Sequence, residues 1–114
     1  MPYVKVQTNV DLDEAARQEL TRKLSTLASE LTGKPEQWVM AQVQAGVTLM
    51  HGGSFGPAAY VEFKSIGLNE GVCADQSAGI CELLTAEIGV PAEHVYIEFK
   101  NLERCLFGWN GATF

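Results

Sequence analysis

Cysteine and histidine are both scarce in this chain. Cys73, Cys81 and Cys105 form no CxxC pair and no ligand spacing, and His51 and His94 are too few and too separated to complete a zinc site. The reading therefore assigns no metal and no cofactor. An odd cysteine count without a signal-peptide pattern favours reduced thiols, and Cys81, inside an apolar helical run, reads as a structural thiol rather than a reactive one. Basic residues are also few: eight Lys and Arg stand against fourteen Asp and Glu, a net charge of −6, with no basic cluster. That balance argues against nucleic acid and anionic membrane as partners, because both are held chiefly by Lys and Arg. No segment approaches the roughly 20 apolar residues of a membrane span, and no basic stretch leads into an apolar one at the start, so the expected location is cytoplasmic. The glycine-rich stretch HGGSFGP (51–57) lacks the lysine and the strand-loop-helix setting of a phosphate-binding loop, and it reads as a turn.

What the chain has is apolar residues in a repeating pattern. Nearly half of its 114 residues are apolar, enough to build the core of one domain spanning 1–114. From Leu12 the series Ala16, Leu20, Leu24, Leu27, Ala28 and Leu31 has helical spacing, with Asp11 as the expected N-cap, Glu14 three residues on, and Gly33 and Pro35 as the stop. A second helix is expected from about Glu70 to Ile88, capped by Asn69 and ended by Gly89 and Pro91.

The two helix exits match. GKPEQWVMAQV (33–43) lies over GVPAEHVYIEF (89–99), and the entry strands YVKVQT (3–8) and YVEFKS (60–65) align as well. The chain thus reads as two β-α-β units in tandem, about 2–50 and 58–102, followed by a tail at 103–114. Helix crossovers make each strand pair parallel and place both helices on one side of the sheet, a two-layer α/β sandwich. Trp38, Met40 and Tyr96 alternate with the inward apolar positions of the exit strands, so the uncovered face is expected to need a cover. Other copies of the same chain are the economical one.

The candidate site residues follow from this scaffold. Pro2 stands immediately before the first strand, one of the few strand positions that tolerates proline. Once Met1 is removed, its ring nitrogen becomes a free secondary amine, which burial beside apolar groups brings down toward neutral pH. Such a base suits proton abstraction next to a carbonyl. Lys34, between a helix stop and a strand start, is either a solvated residue complementing the helix dipole or an anchor for a carboxylate. SIG (65–67) ends a strand and offers the Ile66 backbone amide to the same anion. Trp38, Tyr96, Phe107 and Trp109 either wall a pocket or fill the core.

Taken together, Pro2, TNV (8–10), TGKP (32–35), GGS (52–54), SIG (65–67), VYIEF (95–99) and GWN (108–110) resemble the macrophage migration inhibitory factor family of the tautomerase superfamily, in order and over essentially the whole chain. The resemblance implies a homotrimer whose sheets form a central barrel with pockets between subunits. It implies a keto–enol tautomerase for small α-keto acids such as phenylpyruvate, with Pro2 as the catalytic base. Lys34 then binds the substrate carboxylate, Ile66 supplies its amide, and Tyr96 enters the pocket from a neighbouring subunit. Trp38 stands where the family often has another aromatic, and Tyr3, Phe107 and Trp109 fall at the mouth or lining. The alternative within the same resemblance is a cytokine-like protein-binding module with an unidentified receptor, exported without a signal peptide and keeping only vestigial activity.

Two departures from the family pattern carry consequences. Ala58, Ala59, Tyr60 and Val61 occupy the place of the animal members' CxxC, so thiol oxidoreductase activity is expected to be absent. Glu98 replaces an asparagine two residues after the pocket tyrosine, where a carboxylate repels anions and raises an amine pKa.

Overall fold

The computed structural model describes residues 1–114. Strand β1 (Tyr3–Thr8) leads to helix α1 (Glu14–Thr32), strand β2 (Met40–Gln44) and, after a loop, strand β3 (Ala59–Ile66). Helix α2 (Cys73–Ile88) and strand β4 (Val95–Leu102) complete the second unit. The sheet order is β2-β1-β3-β4. Strands β1 and β2 run parallel, as do β3 and β4, while β1 and β3 meet antiparallel and join the two units. The α/β sandwich of two β-α-β units expected from the repeat is thus the observed subunit fold.

The start of α1 differs from expectation by two residues. Asp13, not Asp11, is the N-cap: its Oδ1 accepts from the Ala16 amide at 2.8 Å. A cap must reach an amide three positions on, and the run of good helix formers begins at Glu14, directly after Asp13. Leu20, Leu24 and Ala28 then form the buried stripe of α1. Asn69 does cap, accepting from the Gly71 amide at 2.8 Å, but it heads a single 3-10 turn at Glu70–Val72 before α2 proper begins. Both helices end on a left-handed glycine, Gly33 at φ 69° and Gly89 at φ 69°, a backbone region that residues with a Cβ rarely enter.

Side chains alternate cleanly across the sheet. Val4, Val6, Val61 and Phe63 are buried against Leu20, Leu24, Ile80 and Leu84 of the helices, and Val90 closes the core. The opposite face is mixed rather than purely polar, with Met40 and Tyr96 exposed on it. It carries hydrogen-bonded polar groups: Tyr3 Oη donates to Gln42 Oε1 at 3.0 Å, Gln7 Nε2 to Gln44 Oε1 at 3.1 Å, and Tyr60 Oη to Glu98 Oε2 at 2.8 Å. Lys64 and Glu62 lie 3.6 Å apart on the same side. Period-two alternation puts every second residue of all four strands here, and apart from Met40, Ile66, Leu102 and the tyrosines those residues are polar or charged. Trp38, counted toward this face in the sequence reading, belongs to a 3-10 turn (Glu36–Trp38) outside β2.

HGGSFGP forms a turn, with His51 and Ser54 exchanging backbone hydrogen bonds at 2.9 and 3.0 Å. The tail is more structured than its sequence advertised. A 3-10 turn (Arg104–Leu106) leads into a small hairpin of β5 (Gly108–Trp109) and β6 (Ala112–Thr113). Asn110 and Gly111, both at positive φ, make the hairpin turn, the pair that a tight two-residue connection favours.

Candidate active site

A cleft of about 530 Å³ opens at the end of the sheet where β1 begins. Pro2 is fully buried at its floor, and the Pro2 carbonyl accepts from the Met40 amide at 3.0 Å, which ties the chain start to β2. Tyr3, Trp38, Phe107 and Trp109 also line it, so five of the eight nominated residues converge there. The tail builds one wall. Trp109 meets Trp38 edge-on at a centroid distance of 4.9 Å, and the last residue, Phe114, stacks over Phe107 at 5.7 Å and Trp109 at 6.0 Å.

Lys34 and Ile66 lie beside the cleft rather than in its lining. Half-buried Lys34 donates from Nζ to Ser65 Oγ at 3.1 Å and to the Ile66 carbonyl. Its own backbone is pinned by Ser29, whose hydroxyl donates to the Lys34 carbonyl at 2.6 Å. An ammonium has three donors, and the third is directed at the Met1 amine. The contact identified at Ile66 is to its carbonyl, not to the amide that the sequence reading proposed.

In the chain as described Met1 precedes Pro2, so the Pro2 nitrogen is an amide and the Met1 amine is the terminal base. That amine is pushed down from 8.0 to about 6, first by burial, then by the hydrogen bond and charge of Lys34 and by the charge of Arg104. Desolvation and two nearby cations disfavour the ammonium form. These surroundings favour the neutral form of the Met1 amine.

Tyr96 is not in this cleft. It stands opposite Tyr60, which stands opposite Gln7, five residues along β1 from Pro2, so Tyr96 lies at the far end of the sheet. There it is exposed and packs edge-on against His51 at 5.2 Å, while the His51 and His94 rings lie 5.1 Å apart. The two histidines, read separately as loop and strand-end residues, meet only because the turn at 51–54 folds over the start of β4. Glu98 shares the open face with Tyr96 and is engaged by the Tyr60 hydroxyl.

Lys64, Leu102, Met40 and Phe114 line the cleft and Arg104 acts on the amine there, yet the sequence reading nominated none of them. Lys64 carried a usable signal, since it directly precedes SIG. Phe114 carried none: its place follows from the Asn110–Gly111 turn, which doubles the tail back so that the Phe114 amide donates to the Phe107 carbonyl at 3.1 Å.

Comparisons with known proteins agree with one another. A family model described as macrophage migration inhibitory factor matches residues 1–114. A macrophage migration inhibitory factor homolog of Brugia malayi is 33% identical over 115 residues, covering 100% of this chain and 99% of the relative. D-dopachrome decarboxylase-B of Xenopus laevis is 31% identical over 115 residues, covering 99% and 97%. The crystal structure of a macrophage migration inhibitory factor homologue from Prochlorococcus marinus superposes with a TM-score of 0.92 at 37% identity, covering 98% of each chain.

Proposed function

Because the chain belongs to the macrophage migration inhibitory factor family, we propose that it is a keto–enol tautomerase of small α-keto acids such as phenylpyruvate, with the Pro2 amine as general base once Met1 is removed. The observation that carries this reading is the burial of Pro2 at the floor of an apolar cleft, where burial and Lys34 lower the Met1 amine to about 6 and a Pro2 amine meets the same surroundings. A neutral amine removes the proton from the carbon next to the substrate carbonyl and returns it to the carbonyl oxygen, converting keto to enol with no redox change. The Lys34 donor that the Met1 amine engages is freed when Met1 is removed and holds the carboxylate, and Trp38, Trp109 and Phe107 enclose the apolar end of the substrate.

Tyr96 completes the site from a neighbouring copy, since it lies at the wrong end of its own sheet. The working form in this reading is a homotrimer of about 37 kDa, three times 12.4 kDa. Glu98 arrives on the same strand as Tyr96 and opposes an anion there, so Glu98→Gln raises kcat/KM for phenylpyruvate.

The test begins with intact mass, which shows whether Met1 is gone. A chain starting at Pro2 tautomerises phenylpyruvate, and a variant with an uncleavable residue ahead of Pro2 loses at least about a hundredfold of that turnover. The amine works unprotonated, so kcat/KM rises with pH through its pKa, and the limb lies below the ordinary value for a proline amine. Full activity in the blocked variant would exclude Pro2 as the base.

A further inference from the structure

The cleft differs in charge from the rest of the molecule. The chain carries fourteen acids and eight bases, yet no Asp or Glu lines the cleft, and Lys64 does. Two more cations, Lys34 and Arg104, act on the amine at its floor. Arg104 begins the short turn between Leu102 and Phe107, both of which line the cleft, and the Phe107 amide donates to the Arg104 carbonyl at 3.3 Å.

Of the five other bases, Arg17, Arg22 and Lys23 on α1 are matched by Glu14, Glu19 and Glu87, while Lys5 and Lys100 stand on the open face of the sheet without an ion pair. Arg104 is exposed and makes no ion pair or side-chain hydrogen bond within the chain, and the carboxylate of its neighbour Glu103 faces the Cys105 thiol at 4.0 Å. Lys64 is only loosely offset by Glu62 at 3.6 Å. One cation, Lys34, is enough for a single carboxylate. Two additional cations around apolar walls are more than a monoanionic aryl keto acid uses.

We propose that Arg104 and Lys64 are specificity residues that hold a second anionic group, so that the cleft prefers an aryl α-keto acid bearing a carboxylate on its ring over the unsubstituted one. This rests on the proposed function for the existence of a keto-acid site, and it names the substrate class of that site. Lys34 takes the carboxylate next to the keto group, the aromatic walls take the ring, and Arg104 with Lys64 takes the distal carboxylate at the rim. The lining that one chain supplies is positive and focuses the field for anions, against the neighbouring copy's Glu98.

The experiment compares phenylpropanoate with its para-carboxy derivative by calorimetry, and phenylpyruvate with para-carboxyphenylpyruvate by turnover. Because neither propanoate can tautomerise, the first comparison reads binding alone. The para-carboxy compound binds about five- to tenfold tighter at low salt, a modest factor because Arg104 is exposed, and the advantage shrinks in high salt. Arg104→Gln combined with Lys64→Gln reduces the advantage to below about twofold, and Arg104→Lys with Lys64 intact restores most of it. Equal binding of the two propanoates to the native chain overturns the inference, as does an advantage that survives the double substitution. If the binding preference holds but neither pyruvate turns over, the specificity reading stands and the tautomerase reading falls. Turnover of phenylpyruvate without any preference gives the opposite result.

Discussion

The two ends of the sheet are built from equivalent residues and finish as opposites. At each, a helix ends on a left-handed glycine and a proline leads into a 3-10 turn: Gly33, Pro35 and Glu36–Trp38 in one unit, Gly89, Pro91 and Ala92–His94 in the other. Even the pins correspond, since Ser29 Oγ donates to the Lys34 carbonyl at 2.6 Å and Thr85 Oγ1 to the Val90 carbonyl at 2.7 Å. Between the glycine and the proline, one unit has Lys34 reaching the end of β3, and the other has Val90 fully buried in the core. Pro2 corresponds to Ala59, Trp38 to His94 and Met40 to Tyr96. The first end holds a cleft of about 530 Å³, whereas the second is reduced to about 50 Å³ by residues 49–51. A repeated backbone thus provides two similar frames, and the side chain at one position of the exit turn separates site from core.

The comparison breaks most severely at Val90. Val90→Lys gives the second end the first end's residue, but there the ammonium enters a closed core with no partner and costs about 3–5 kcal/mol. Urea denaturation reads this directly, and a loss below about 1 kcal/mol would show that the second frame can hold a lysine as the first does.

The next test asks whether Tyr96 at one end serves Pro2 at the other end of a neighbouring chain. Pro2→Gly and Tyr96→Ala chains, each inactive alone, are mixed, unfolded and refolded together. In a ring of random composition about a quarter of the sites recover both residues, and activity returns to about that level. No recovery, with light scattering confirming a mixed trimer, removes Tyr96 from the site.

Lys34→Ala is the smallest expected effect and sharpens the contrast with Val90. Removing a carboxylate anchor that serves substrate and transition state alike raises KM about tenfold with kcat nearly unchanged. A large fall in kcat at constant KM would instead make Lys34 a tuner of the terminal amine, since its charge helps to lower that amine's pKa.

Much of this was legible along the chain, for particular reasons. Gly33 with Pro35 and Gly89 with Pro91 announce their turns because few other residues take that backbone, and the Leu20–Leu24–Ala28 spacing defines a buried stripe without reference to any partner. Pro2, Lys34 and SIG could be nominated because they sit in short motifs at element ends. The polar pairs of the open face, Tyr3 with Gln42, Gln7 with Gln44 and Tyr60 with Glu98, went unread because cross-strand register is not written in any one strand. Arg104 and Phe114 escaped notice because nothing local marks them; the 3-10 turn after β4 places the first, and the doubling back of the tail places the second.

The sequence by itself determined the two β-α-β units, their caps and their crossovers, because helix periodicity, turn residues and the handedness of a crossover act over a few residues at a time. Tertiary structure decided which end of the sheet holds the cleft. The antiparallel meeting of β1 with β3 brings Pro2 to the level where Lys34 meets Ser65 and Ile66, and it carries Tyr96 to the opposite end. Those placements join residues far apart in the chain, and the geometry of packing, not any local preference, sets the distance between them.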